Sequence, residues 1–264
     1  MTESATDLRG RHAVVTGGSR GVGATIAAAL ARAGADVTVM GRSAKSLTSR
    51  EDATDPSART HVRAIVCDVA DPSSVERAFA DATAALGPVH ILVNNAGQAE
   101  AAWFQDMSIE SWGRVIGVNL TGTFLCIQQV LPAMLAAESG RIVNVSSTAG
   151  LRGFVKVAAY CAAKHGVVGL TRALALETAR HGVTVNAVCP GYIDDTDMYR
   201  AAVENVMRST GRTADEARLI LSKASPGGQL TTMQDVANEV LRLCLPAAST
   251  INGQAIVVPT GDIE

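Results

Sequence analysis

Seven short β-branched runs recur along the chain, each followed by a longer amphipathic stretch or turn: HAVVT (12–16), DVTVM (36–40), HVRAIVC (61–67), VHILV (89–93), RIVNV (141–145), VTVNAV (183–188) and QAIVV (254–258). Strands that alternate with helices pair as βαβ units, and each crossover lays its next strand parallel to the last. The pattern predicts an α/β fold: one doubly wound, seven-stranded parallel sheet with helices on both faces. At 264 residues the chain is within the size that one such sheet reaches, so a single domain over 1–264 is expected. Apolar residues make up 47% of the chain and aromatics only 3%, so the core must be built from Ala, Val, Leu and Ile.

Two stretches break the rhythm. SLTSREDATDPSART (46–60) replaces the helical pattern expected between the second and third strands with Ser, Thr, Asp and Pro, and reads as a loop or broken helix. Residues 196–230 hold two short helical patterns separated by STGRT, with Thr213 placed to cap the second and Glu216 three residues on. This insertion follows the sixth strand, where α/β proteins cover their ligands. It reads either as a substrate lid or as a structural hairpin.

The formal net charge is -2, with the basic residues scattered, which leaves no electrostatic footprint for nucleic acid or an anionic membrane. The N-terminus has no apolar signal core, and no uninterrupted apolar run approaches the roughly 18 residues of a membrane span, so a cytoplasmic protein is expected. The five cysteines, Cys67, Cys126, Cys161, Cys189 and Cys244, have no CxxC spacing. Neither a disulfide framework nor a metal site is indicated, and buried apolar roles are expected for them.

Directly after the first strand comes TGGSRGVGATIAAALARAGA. Gly17, Gly21 and Gly23 permit a tight turn and close backbone approach, and the helix beginning near Gly21 aims its free amides and positive dipole end at whatever sits there. A diphosphate fits, contacted by the turn Gly17, Ser19, Arg20, Gly21, Val22 and Gly23. An NAD site usually places an acid at the end of the second strand to hold the ribose 2′-hydroxyl. Here that place reads VMGRS, with Arg42 and Ser43, and Arg20 adds a second base in the turn. Two guanidiniums suit a 2′-phosphate, so NADPH/NADP+ is expected over NADH.

In AAYCAAKHG (158–166), Tyr160 and Lys164 project from one helix face, one turn apart. An ammonium beside a phenol favours the phenolate and is expected to draw its pKa down, so the pair can shuttle a proton. By itself such a pair is also ordinary surface decoration. Ser147, thirteen residues upstream at the carboxyl end of RIVNV, brings a hydroxyl that can hold a carbonyl oxygen. Asn119, polar in apolar helical company, implies a specific bonding partner for its amide.

Five motifs stand in order: TGGSRGVG, NNAG (94–97), VNLTG (118–122), SSTAG…YCAAK, and NAVCPGY (186–192). On these motifs the chain resembles the short-chain dehydrogenase/reductase family over nearly its whole length, with the Rossmann fold and oxidoreductase activity that this implies. The resemblance carries over a catalytic tetrad of Asn119, Ser147, Tyr160 and Lys164. In it the tyrosine is the general acid, the serine orients the carbonyl, the lysine binds the nicotinamide ribose and lowers the tyrosine's pKa, and the asparagine holds a relay water. It also implies that Asp68 and Val69 border the adenine, that Asn94, Ala96 and Gly97 line the cofactor cleft, and that Pro190, Gly191, Ile193 and Thr196 contact the nicotinamide side. PGYIDDTDM carries an extra acidic residue relative to the family's usual spacing before that threonine.

The text around AAKHGVVGLTRALALE is similar to ketoreductases acting on 3-oxoacyl and polyketide substrates. The expected activity is therefore an NADPH-dependent carbonyl reductase acting on a small-molecule ketone, possible substrates being 3-oxoacyl, polyketide or aromatic ketones. The same site run in reverse would be an alcohol dehydrogenase, and a non-catalytic NADP-binding sensor is the remote alternative. Pocket walls are expected from Gln98 to Ala102, Leu151 to Val157, Tyr192 and the lid from Met198, with Glu100, Arg152 and Lys156 at the rim. The resemblance further suggests a homotetramer, or a homodimer, built on the helices around 104–136 and 158–181 and the C-terminal strand.

Overall fold

In the computed structural model, which describes residues 7–43 and 61–258, seven parallel strands form one sheet in the order β3-β2-β1-β4-β5-β6-β7. They are β1 (His12–Thr16), β2 (Asp36–Gly41), β3 (Val62–Val66), β4 (Val89–Asn94), β5 (Gly140–Val145), β6 (Val183–Pro190) and β7 (Ala255–Val258). The strand order reverses between β1 and β4, and the crevice at the carboxyl ends of those two strands is where a doubly wound sheet receives its ligand. The irregular 46–60 stretch lies outside the described residues.

The described helices are α1 (Gly21–Arg32), α2 (Pro72–Leu86), α3 (Ile109–Ile116), α4 (Gly122–Ala136), α5 (Ala158–Thr178), α6 (Asp197–Thr210), α7 (Ala214–Lys223) and α8 (Met233–Cys244). Successive strand residues face opposite sides, so each strand feeds two cores. Val15, Val93 and Val143 pack beneath α1 and α8 against Ile26, Leu30, Val236 and Leu243. Val14, Leu92 and Ile142 point the other way, onto Phe79 of α2, Ile127 and Met134 of α4, and Leu174 of α5. The first strand is pinned laterally by a buried histidine: His12 Nδ1 donates to the Gly87 carbonyl at 2.8 Å, which leaves Nε2 to accept from Thr38 Oγ1 on β2 at 2.8 Å.

The helical run Ile109–Ala136 is long and apolar enough, by length and composition, to cross a membrane. Cys126, Ile127, Val130 and Met134 of that run are nonetheless buried against the sheet, as in a core helix. Between α3 and α4 the run opens into one π-helical turn, Gly117–Thr121. Such turns widen the hydrogen-bond ladder and commonly mark functional positions, and this one carries Asn119.

The insertion after β6 is a helical hairpin. Thr196 caps α6, its Oγ1 accepting from Tyr199 N at 3.1 Å, and Gly211 ends the helix in the left-handed conformation at φ 70°. The expected capping box on α7 is present: Glu216 N donates to Thr213 Oγ1, and Thr213 N donates to Glu216 Oε2. Tyr199 and Val203 of α6 pack on Ala217 and Leu221 of α7, giving the hairpin a small apolar centre of its own.

Candidate active site

The glycine turn is held from beneath. Gly17 and Gly21 adopt φ of 64° and 53°, where a side chain would be strained. A Cβ on Gly23 would lie 2.2 Å from the Gly17 carbonyl oxygen, so only glycine lets α1 begin so close to the turn. Thr16 Oγ1 accepts from the amides of Asn95 and Ala96, both at 3.1 Å. Asn95 Nδ2 donates back to the carbonyls of Thr16 at 3.0 Å and Gly17 at 3.2 Å.

This clamp assigns the two asparagines of NNAG differently from expectation. Asn94, expected to line the cleft, is buried within the fold: its Nδ2 donates to Asn144 Oδ1 at 2.9 Å, and Asn144 Nδ2 donates to Thr171 Oγ1 at 2.9 Å. The reason is strand alternation, since Val93 faces α1 and its neighbour Asn94 must face α5. Asn95, absent from the expected set, is the residue that meets the glycine turn, and the same alternation applied to β4 is the signal that finds it.

Arg20 also departs from expectation. Its guanidinium is engaged by Asp197 of α6, Nη1 to Oδ2 at 2.5 Å, instead of standing ready beside Arg42 for a phosphate. Asp197 accepts a second guanidinium, from Arg200 Nη2 at 2.7 Å, and Arg200 Nη1 reaches Asp195 Oδ1 at 2.7 Å. Arg42 and Ser43 are exposed at the end of β2, with no acid among the described residues of that strand end. Asp68 Oδ1 accepts from Ala70 N at 3.0 Å, while Val69 is buried against Gly122, where a Cβ would come within 2.9 Å of it.

On the far side of the crevice, Pro190 ends β6, Gly191 N donates to Val258 O at 3.2 Å, and Ile193 pairs with Thr231. Thr196 was expected at the carboxamide, but its hydroxyl is used by its own helix start, donating to Ile193 O at 2.9 Å while capping α6. Of the two acids before it, Asp195 is the Arg200 partner just described, and Asp194 Oδ1 accepts from Asp195 N at 2.8 Å.

The four tetrad side chains converge between β4, β5, the π turn and α5. Small residues permit it: a Cβ on Gly150 would lie 2.5 Å from Ser146 Oγ and 2.7 Å from the Lys164 carbonyl, and one on Gly166 would lie 2.7 Å from Leu120. Ala159 and Ala163 are fully buried on the same helix. Lys164, also buried, donates Nζ to the Val145 carbonyl at 2.7 Å and stands 5.6 Å from the Tyr160 ring centroid. Ser147 Oγ accepts from Ala149 N at 3.1 Å and donates to the Pro190 carbonyl at 3.5 Å, close enough to the Tyr160 phenol to influence its titration.

Asn119 Nδ2 donates both hydrogens, to the carbonyls of Gln98 at 2.7 Å and Val115 at 2.8 Å. Its Oδ1 is buried with no hydrogen-bond partner. A Cβ on Gly97 would come within 2.9 Å of that oxygen and 3.7 Å of Lys164 Nζ, so Gly97 keeps a small polar notch open between the two.

The electrostatics correct one expectation. Burial pushes the Tyr160 phenol up to about 12, with the Ser147 hydrogen bond opposing the rise, and burial pushes Lys164 down to about 8. The phenol is therefore not drawn toward phenolate. Desolvation dominates, and Lys164, whose Nζ is directed at the Val145 carbonyl, does not lower the phenol. A phenol held neutral is a proton donor at physiological pH.

Part of the expected wall meets this centre. Phe154 and Val157 pack in one cluster with Tyr160, and Phe154 meets Tyr192 edge to face with centroids 6.3 Å apart. At the rim, Glu100 is tied to Arg114 and Ser111, and Lys156 lies over the Trp103 ring at 4.9 Å. Arg152 donates to the Ala224 carbonyl at 2.6 Å, joining the wall to the end of α7.

Known proteins resemble the chain along its length. An acetoacetyl-CoA reductase from Shinella zoogloeoides is 40% identical over 93% of this chain and 95% of its own. A 3-oxoacyl-acyl-carrier-protein reductase from Aquifex aeolicus is 37% identical over 96% and 98%. The solved structure of an actinorhodin polyketide ketoreductase variant with NADPH superposes with a TM-score of 0.88, at 36% identity and 97% coverage of both chains. Residues 11–207 match the short chain dehydrogenase family, and the chain belongs to that family.

Proposed function

We propose that this protein is an NADPH-dependent ketoreductase that converts a ketone of the 3-oxoacyl or polyketide class to a secondary alcohol. The observation that carries the proposal is the buried, neutral Tyr160 phenol beside Ser147 and Lys164, packed among apolar side chains that include Phe154 and Val157. The residues fit a dinucleotide: Gly23 lets α1 begin hard against the glycine turn, the first amides of α1 are left free to face a diphosphate, and among the described residues no acid stands at the end of β2 to oppose a 2′-phosphate. Bound NADPH would supply the hydride. Ser147 would hold the carbonyl oxygen, and Tyr160 would donate its proton to that oxygen as negative charge develops. Lys164 would hold the ribose, and the notch between Asn119 Oδ1 and Lys164 Nζ would seat a water that resupplies the proton. The similarity to acetoacetyl-CoA and 3-oxoacyl-acyl-carrier-protein reductases supports the reductive direction over alcohol oxidation.

We also propose a cytoplasmic homotetramer. The exposed Phe124 on α4 and Leu176 on α5, the latter 82% exposed, lie on the helices expected to pair, and light scattering on the purified protein tests this. The hairpin α6–α7 is proposed to act as the substrate lid. The activity is tested by following NADPH absorbance with acetoacetyl and longer 3-oxoacyl thioesters. Turnover with NADPH at a higher kcat/KM than with NADH supports it, and no turnover of any ketone by protein that binds NADPH contradicts it.

A further inference from the structure

Residues 95–103, which follow β4, form neither helix nor strand, yet one of their carbonyls holds a tetrad side chain. Asn119 donates its two amide hydrogens to Gln98 O on this loop at 2.7 Å and to Val115 O on α3 at 2.8 Å. A backbone carbonyl can only accept, so these two partners decide which end of the amide is which. The unpartnered Oδ1 is left at the notch that Gly97 keeps open beside Lys164 Nζ. That orientation lasts only while Gln98 O and Val115 O keep their spacing, and an irregular loop has no backbone ladder to keep it.

Side chains supply what the ladder does not. Glu100, expected at the pocket rim, turns back onto α3: its carboxylate accepts from Arg114 Nε at 3.1 Å, Arg114 Nη2 at 2.9 Å and Ser111 Oγ at 2.6 Å. Gln98 Nε2 donates to the Arg114 carbonyl at 3.2 Å, and Ala99 between them packs in the cluster that holds Val115 and Tyr160. Ser111 and Arg114 stand three positions apart on one face of α3, and the residue after Arg114 is Val115, the second holder of Asn119. An isolated exposed ion pair adds little to stability. A forked guanidinium–carboxylate pair with a third hydrogen bond fixes geometry as well, and the geometry fixed here is that of the two carbonyls on Asn119.

We infer that Glu100, Ser111 and Arg114 are positioning residues for proton delivery: they strap the loop after β4 to α3 and so hold Asn119 Oδ1 on the notch that would seat the relay water. This rests on the ketoreductase reading. Steady-state kinetics in H2O and D2O, with the best ketone and saturating NADPH, test it. Glu100→Ala and Arg114→Ala should each lower kcat by about five- to tenfold, a fraction of what a misplacement of about 1 Å can cost, with the Kd for NADPH unchanged. The solvent isotope effect on kcat should rise in both as resupply of the proton becomes limiting. Glu100→Gln, which keeps an acceptor for Ser111, should lie between Glu100→Ala and wild type. Glu239→Ala, which removes an equally forked pair with Arg242 on α8, should change neither quantity. In an Asn119→Ala background, Glu100→Ala should add a loss of less than about twofold, because the group it positions is gone. If that background does not fold, the isotope effect in the single variants decides. Wild-type kcat in both single variants, a lowered kcat with an unchanged isotope effect, or losses that multiply with Asn119→Ala overturn the inference and leave the ketoreductase reading standing. Wild type that binds NADPH and reduces no ketone removes that reading itself, and the inference with it.

Discussion

Arg20 in the glycine turn and Asp197 at the start of α6 lie 177 positions apart in sequence and form an ion pair at 2.5 Å. The pair joins the cofactor crevice to the helical hairpin, and it places a carboxylate on the guanidinium that a 2′-phosphate would use.

Removing that competitor should therefore sharpen cofactor selection. Asp197→Asn is expected to tighten NADPH binding by about two- to fivefold, the scale of an exposed ion pair, with little effect on NADH. Arg20→Ala should weaken NADPH by about tenfold or more while sparing NADH. Fluorescence titration with both cofactors checks the pair of variants. An equal shift for NADPH and NADH would separate Arg20 from the 2′-phosphate.

Lys164 makes stability depend on pH in a stated direction. Its pKa is about 8 in the fold against an ordinary 10.5, so between those values the unfolded chain holds a proton that the folded chain has released. Folding is then favoured increasingly as pH rises through that window. Lys164→Met removes the term, so it should melt no lower than wild type near pH 7 and lose ground to it by about pH 9.5, while reductase activity falls about 100-fold or more. Thermal melts at the two pH values check this. A constant difference in melting temperature between them would mean that Lys164 is not desolvated as described.

Gly97 guards the notch beside the tetrad. A methyl there would sit 2.9 Å from Asn119 Oδ1, so Gly97→Ala should lower kcat at least about tenfold through displaced catalytic groups. Its fold should persist, because the one close approach is to the end of a side chain, and the next atoms, Lys164 Nζ and Asn95 O, lie at ordinary contact distances of 3.7 and 3.8 Å. Steady-state kinetics with a parallel melt checks it, and unchanged kcat would show that the notch is not used.

Most of the architecture was legible because strand signals are strong and local. Val14 and Val15, or Leu92 and Val93, are apolar on both faces, which is how buried parallel strands read, and the predicted runs match the observed strands to within two residues. That Asn119, Ser147, Tyr160 and Lys164 belong to one site was an expectation from motif order, and the four do come together. The rest depended on features without a local signature. The π turn at Gly117–Thr121 has no composition of its own, although it is what turns Asn119 inward. Thr196 and Arg20 took partners, the α6 amide end and Asp197, that exist only once the hairpin is folded. The Tyr160 pKa moves opposite to expectation because of burial, which no sequence spacing reports. Asn95 was within reach, since alternation along β4 already separates it from Asn94.

The claim that Tyr160 is the proton donor is tested most directly by Tyr160→Phe, which keeps the ring in its cluster and removes only the hydroxyl. Measured with the best ketone and saturating NADPH, kcat should fall by about a hundredfold or more while the Kd for NADPH stays within about twofold of wild type. Retention of a tenth or more of wild-type kcat would contradict it.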